Sequence, residues 1–150
     1  MTDTTQSVGT EQPGQFIVQR LYVKDLSFEA PHVPEMFMQK WEPDMSLEVH
    51  CQNKVLDNNI YEVILSVTVT VKNNNQIAFL VEVKQAGIFS ITGVNGESLD
   101  HVLGSFCPNM LFPYAREVIS SQVTHASFPQ LVLAPINFDA LYLQKLQEKK

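Results

Sequence analysis

The sequence predicts an α+β domain in which an antiparallel sheet is followed by helices. Two observations predict this class. Between residues 16 and 85, apolar and polar residues alternate with a period of two, which is typical of half-buried strands. From residue 98 onward, apolar residues recur every three or four positions, which is typical of amphipathic helices. Because the strands precede the helices along the chain, we expect neighbouring strands to run antiparallel.

Four segments form the predicted sheet. The first, residues 16–28, is rich in β-branched and aromatic residues, and its imperfect alternation suggests partial cover on both faces. The second and third, residues 45–51 and 61–72, place their odd-numbered apolar residues on one face. Three asparagines at 73–75 tolerate a left-handed backbone and predict a turn into the fourth strand, residues 77–85.

The connection between the first two strands contains Pro31 and Pro34, and we expect it to be rigid and extended. The helical part of the sequence predicts three helices. They are a short helix at 98–106, a longer helix at 109–126 that follows Pro108, and a last helix capped by Asn137. Between the last two helices, residues 128–135 are expected to be extended.

The composition limits the possible functions. A chain of 150 residues, 45% hydrophobic and 17% charged, is typical of one domain with its own core. We expect a disordered lead at 1–15, a single domain at 16–147 and a short tail at 148–150. The net charge of −6 argues against nucleic-acid binding and against binding to anionic membranes.

We expect a cytoplasmic protein. Cys51 and Cys107 are the only two cysteines and form no disulfide framework, which is typical of a reducing compartment. The first 14 residues lack the features of a signal peptide, and no apolar run approaches the ~20 residues needed to cross a bilayer.

No catalytic centre is predicted. Cys107 and His101 lie on a segment interrupted by Gly104 and Pro108, with no orienting acid nearby, so we expect no nucleophile–base pair. The four histidines lack the spacing of metal ligands, and no glycine-rich loop for phosphate is present. We therefore expect no enzymatic activity, no cofactor and no bound metal.

The predicted sheet is wider than the helix available to cover it. A helix about 10 Å wide cannot cover four strands spaced about 4.8 Å apart. Large exposed apolar patches are rare on monomers, so the uncovered part should meet another subunit or a partner. We therefore expect an oligomer with an apolar groove that binds other polypeptides.

Four strings in the sequence stand out: YVKDLSFEAP (22–31), GIFSITG (87–93), GSFCPNMLFPYARE (104–117) and FPQLVLAPINFDALY (128–142). In this order they resemble the SecB export-chaperone family, and the resemblance extends over about residues 16–142. It implies an ATP-independent cytosolic holdase with a four-stranded antiparallel sheet, assembled as a homotetramer that is a dimer of dimers. It also implies that unfolded secretory precursors are delivered to the SecA motor.

The resemblance implies three sets of site residues. SecA would bind an acidic patch on the solvent face of the sheet, formed by Asp25, Glu29, Leu80 and Glu82. Clients would bind an apolar groove with the candidates Phe28, Trp41, Met45, Leu47, Val49, Phe138, Tyr142 and Leu143. Subunits would meet through Val81, Val83, Leu111, Tyr114 and Val118. Zinc in this system would belong to the partner, so no metal is expected here.

Each set also has an ordinary structural explanation. The acidic residues could be solvated surface, Trp41 and the strand residues Met45, Leu47 and Val49 could be core, and Phe138 and Tyr142 could serve only to dock their helix. Two other functions stay open: a SecB-like chaperone for one client, such as an antitoxin, and a carrier of small apolar ligands. Family members often end in a longer acidic tail, whereas this sequence ends in the basic LQKLQEKK. We therefore expect a weaker or altered tail contact with SecA.

Overall fold

The computed structural model describes residues 14–148 and contains one four-stranded antiparallel sheet, in the order β1-β4-β3-β2. The strands are β1 (Gln15–Glu29), β2 (Pro43–Asp57), β3 (Ile60–Asn73) and β4 (Gln76–Thr92). The helices are α1 (Gly96–His101), α2 (Cys107–His125) and α3 (Phe138–Glu148). The α+β class and the four-stranded sheet are confirmed. Most of the predicted N-terminal lead and the last two residues of the predicted tail lie outside the described residues.

The core lies between one face of the sheet, here called the inner face, and helix α2. Alternate residues of β3 and β4 point to this side and are completely buried, among them Val67 and Val83. Helix α2 closes the core with an apolar stripe at Leu111, Ala115, Ile119 and Val123. The opposite, outer face carries the polar residues of the same strands, because successive side chains of a strand point to opposite faces.

The cover provided by α2 does not reach the edge strand β2. The inner-face residues Met45 and Leu47 remain 44% and 36% exposed, whereas their register partners Val71 and Val69 on β3 are buried. The limited width of a single helix thus leaves an apolar strip along the edge of the sheet.

The strands are longer and less regular than the sequence pattern predicts. Strand β2 continues to Asp57 and strand β4 to Thr92. Strand β1 contains two β-bulges, between Val18 and Arg20 and between Val23 and Asp25. Each bulge inserts one residue and shifts the alternation, and this is the reason for the imperfect pattern of the first strand.

Turn chemistry sets two connections. Asn74 and Asn75 adopt left-handed backbone angles, with φ of 53° and 64°, and form the predicted turn between β3 and β4. The connection between β1 and β2 is not extended, because its prolines lie in a turn followed by a 3-10 helix, Glu35–Met38. Asn73 holds this segment by donating to the Lys40 carbonyl at 3.0 Å and accepting from the Glu42 amide at 2.7 Å.

The two predicted helices around Pro108 are joined. A π-helical turn, Val102–Phe106, connects α1 to α2 without a break. Pro108 has no amide hydrogen, and its ring would crowd the carbonyl four residues earlier in a regular α-helix. The wider π-helical turn is located where this crowding must be relieved.

Candidate functional site

The four residues predicted to bind SecA lie together on the outer face of β1 and β4. Glu29 is opposite Leu80 in the strand register, and Glu82 is opposite Ser27, two residues from Asp25. Asp25 and Glu29 are exposed, while Leu80 and Glu82 are half-buried. We call this group the acidic surface. Three carboxylates around one leucine form a surface suited to a partner with basic and apolar side chains.

Two neighbours of the acidic surface were not identified from the sequence. Thr68 on β3 donates a hydrogen bond from its hydroxyl to Glu82 at 2.7 Å, which fixes the carboxylate. Lys84 is opposite Asp25 and is half-buried. The alternation of β3 and β4 places both on the outer face, so register information would have revealed them.

A buried carboxylate lies further along the same outer face. The side chain of Glu62 on β3 is only 6% exposed. Lys24 donates to both of its oxygens at 2.9 Å, Tyr22 donates its hydroxyl, and Lys54 lies 3.8 Å away. The pKa of Glu62 is lowered by the Tyr22 hydrogen bond and then by the two lysines, against the effect of burial. The pKa of Tyr22 is raised to about 12 by burial and by Glu62.

Most of the predicted client-binding residues fall into two groups at the ends of the apolar strip. At one end, Phe28 stacks on Phe79 at 5.7 Å between ring centroids, and Phe79 contacts Phe128 at 4.9 Å. Trp41 and Phe37 contact the same Phe128 ring at 5.7 and 5.1 Å. Phe37 and Phe128 were not predicted from the sequence, because no periodicity marks a turned connection or an extended segment.

The other end of the strip meets helix α3. Phe138 is buried against Phe112, with the ring centroids 5.7 Å apart, so it docks the helix, and it also lines the cavity beside the strip. A cavity of about 220 Å³ lies between β2 and α3 and is lined in part by Val49, Cys51 and Tyr142. Met45 and Leu47 lie on β2 between the two groups. Leu143 is 53% exposed on α3 and does not line this cavity.

Helix α3 is fastened at its N-terminal end. Asn137 caps it by accepting a hydrogen bond from the Ala140 amide at 3.0 Å, as predicted. Tyr142 packs against Gly104 in the π-helical turn so closely that a Cβ on Gly104 would lie 2.6 Å from its ring. The start of α3 is thus held against the π-helical turn on one side of the cavity.

Asp139 joins α3 to the preceding helices. One carboxylate oxygen lies 2.6 Å from His101 Nε2 and accepts a hydrogen bond from the Ser105 hydroxyl at 2.7 Å. The Ser105 and His101 contacts lower the pKa of Asp139. The three residue types match a hydrolase triad, but the order is different: the carboxylate lies between serine and histidine. In a triad the histidine must contact the serine to accept its proton.

The cysteines are unsuited to nucleophilic chemistry. Burial raises the pKa of Cys51 to about 11 and that of Cys107 to about 12. Among residues 14–148, no group of three or more His, Cys, Asp or Glu side chains is arranged to hold a metal ion. None of the helices in the described part of the chain is long and apolar enough to cross a membrane.

The predicted subunit-interface residues differ in their exposure within the single chain. Val81, Val83 and Leu111 are completely buried within the single chain, so their side chains have no surface with which to contact a second copy. Tyr114 is 49% exposed and Val118 is half-buried. A cavity of about 550 Å³ next to both is also lined by Leu21 and Val23 of β1 and by Pro113. This apolar patch between β1 and α2, here called the β1–α2 patch, holds the remaining interface candidates.

Comparisons with known proteins identify the family. The model of the family described as "Preprotein translocase subunit SecB" matches residues 9–149. The chain belongs to the SecB family. "Protein-export protein SecB" of Legionella pneumophila (strain Corby) is 57% identical over 150 residues, covering 100% of this chain and 93% of the relative. The protein of the same name from Pseudomonas fluorescens (strain SBW25) is 53% identical over 148 residues, covering 98% and 93%.

A solved structure shares the fold. The SecB-like chaperone of Mycobacterium tuberculosis, in complex with a peptide from an antitoxin, matches with a TM-score of 0.67 at 14% identity, covering 81% of this chain and 90% of that one. Family membership and the names of the close relatives show that the chain is a protein-export chaperone and not an enzyme. They favour this function over a single-client chaperone or a ligand carrier.

Proposed function

We propose that the chain is an ATP-independent holdase that binds unfolded secretory precursors along the apolar strip and delivers them to the SecA motor through the acidic surface. We also propose that it acts in the cytoplasm as a homotetramer, a dimer of dimers. The observation that carries the proposal is the opposed chemistry of one sheet. Its inner face leaves Met45 and Leu47 exposed at the edge, and its outer face gathers Asp25, Glu29 and Glu82.

The apolar strip suits a client without fixed structure. It runs along β2 from the aromatic group around Trp41 to the cavity beside Tyr142. Burial of apolar surface contributes ~25 cal/mol per Å² without directional requirements, so many sequences can bind. Methionine adapts its shape to different neighbours, which supports the same tolerance at Met45.

The β1–α2 patch supports self-association. Tyr114 and Val23 expose 49% and 44% of their surface on it. Gln85 lines the patch, and its buried Oε1 has no hydrogen-bond partner among the described residues. A second copy could cover the apolar side chains and donate to this oxygen. Native mass spectrometry tests the assembly, and a stable monomer would contradict it.

Holdase activity is tested with a slow-folding secretory precursor. At a stoichiometric ratio and without nucleotide, the chain should delay the folding of the precursor, because an unfolded client stays bound to the apolar strip. A mature secretory protein that has already folded provides the control and should not bind. Unchanged folding kinetics of the precursor would contradict the holdase function.

The acidic surface is tested by Glu82→Lys. Since the substitution reverses a charge that Thr68 holds in place, we expect SecA binding to weaken by about tenfold or more, with client binding unchanged. Glu97→Lys, which makes the same change of charge in helix α1, is the matched control and should retain SecA binding. Equal loss of both activities, or loss of neither, would show that the docking face is wrongly placed.

A further inference from the structure

We propose that Glu62 is a positioning residue for the acidic surface: it holds the ammonium group of Lys24 away from Asp25, Glu29 and Glu82. The inference rests on the proposed docking of SecA at that surface. It concerns a group that contacts no docking residue directly and acts through Lys24.

Lys24 binds Glu62 although Asp25 is its direct neighbour in the sequence. It is the residue inserted by the second β-bulge of β1 and immediately precedes Asp25. Its Nζ nevertheless lies 2.9 Å from both oxygens of Glu62. Glu62 is on β3, and β4 lies between β3 and β1. With strands ~4.8 Å apart, the side chains of Lys24 and Glu62 must together reach across strand β4 to make this contact.

The energetics favour Glu62 over the surface carboxylates as a partner for Lys24. A buried carboxylate is costly unless it is paired and hydrogen-bonded, and Glu62 is 6% exposed. Losing Lys24 would leave it with Tyr22 and the more distant Lys54. A pair between Lys24 and an exposed carboxylate such as Asp25 or Glu29 would be screened by water and contribute little. Lys24 is therefore retained by the buried partner.

This retention affects the charge that a partner meets. The acidic surface has three carboxylates, and Lys84 opposite Asp25 offsets one of them. Two net negative charges remain while Lys24 is bound to Glu62. If Lys24 were released toward Asp25, the net charge of the surface would be halved. A basic partner would then bind more weakly, and its binding would depend less on salt.

A rescue experiment tests the inference by measuring SecA binding to the full chain. Glu62→Gln removes the charge that holds Lys24, and we expect about three- to tenfold weaker binding with a shallower salt dependence. Lys24→Met removes the competing ammonium and should bind at least as well as wild type. The double variant Glu62→Gln, Lys24→Met should bind SecA within about twofold of wild type, although it lacks both charged groups of the ion pair.

The controls separate positioning from structural damage. Lys54→Met in the Glu62→Gln background removes the other lysine, which is on β2, and should not restore binding. Client binding and urea midpoints should change no more in Glu62→Gln than in the double variant. If Glu62→Gln does not fold, Glu62→Asp keeps the charge, shortens the side chain and should give a smaller loss that Lys24→Met again restores.

Two outcomes would overturn the inference: unchanged SecA binding in Glu62→Gln, or a double variant as weak as Glu62→Gln alone. In either case, loss of binding in Glu82→Lys would leave the proposed docking function intact. If Glu82→Lys also bound normally, the docking function itself would fail.

Discussion

Replacing Gly104 by alanine tests the junction between the π-helical turn and helix α3, beside the cavity proposed to bind clients. The added methyl group would lie 2.6 and 2.8 Å from two ring carbons of Tyr142. Carbon atoms in ordinary contact are about 3.5–4.0 Å apart, so the ring must move away by about 1 Å. Because Tyr142 is a rigid side chain in the second turn of α3, we expect the helix to move with it.

The size of the effect follows from two opposing contributions. Overpacking at such a contact costs about 1–3 kcal/mol. Alanine in place of glycine favours a helical turn by up to about 1 kcal/mol. The free energy of unfolding should therefore fall by about 0–2 kcal/mol, measured by urea denaturation. The effect on α3 should exceed the effect on global stability. Amide exchange in α3 should accelerate, whereas amide exchange in β3 and β4 should change only as much as global stability does.

A double-mutant cycle identifies the cause. Tyr142→Ala removes the ring that the new methyl group meets, so adding Gly104→Ala to it should cost nothing further and should stabilise the turn slightly. Client binding should weaken in the single Gly104→Ala variant because the cavity beside Tyr142 changes shape. Additive losses in the cycle, or unchanged exchange in α3, would refute the proposed contact between π-helical turn and helix.

Two further predictions follow. Because burial raises the pKa of Cys51 to about 11 and of Cys107 to about 12, both thiols should resist a thiolate-specific reagent at pH 8 in the native protein and react once it is unfolded. Because the thiol pKa values are higher in the folded chain, the stability linked to the protonated thiols is complete below the pKa of an unfolded thiol, near 8.5. The free energy of unfolding should therefore decline as pH rises toward 11–12. A free energy of unfolding that rises over this range would contradict the raised pKa values. Asn137→Ala should destabilise the start of α3 by about 1 kcal/mol, with Asn137→Ser as the control that retains a cap, measured by amide exchange at Ala140. Equal protection in both variants would contradict the cap.

Local chemistry explains what could be predicted from the sequence. Alternation in β3 and β4 follows from one buried and one exposed face, and the turn at Asn74 and Asn75 follows from their tolerance of positive φ. The same alternation placed Leu80 and Glu82 on the face opposite the core. The cap at Asn137 also depends only on residues close in sequence. The family resemblance added the partners, which no periodicity contains.

Features that depend on register could not be predicted. The aromatic group joins Phe28, Trp41 and Phe128 from three distant segments, and only the pairing of strands brings them together. The burial of Val81 and Leu111 inside the chain depends on where α2 crosses the sheet. Similarly, nothing near Glu62 in the sequence indicates that Lys24 is its partner, because the contact joins β1 to β3 across the intervening strand β4.

The two bulges of β1 act as frame shifts in the pattern of inward and outward residues. Leu21 and Val23 face the interior, and an uninterrupted strand would next turn Asp25 inward. The extra residue at 24 resets the frame, so Asp25 turns to solvent and Leu26 and Phe28 turn toward the core. The acidic surface thus depends on an irregularity in the strand that carries it. Insertions or deletions in β1 are therefore compatible with this architecture only where they leave both frame shifts in place.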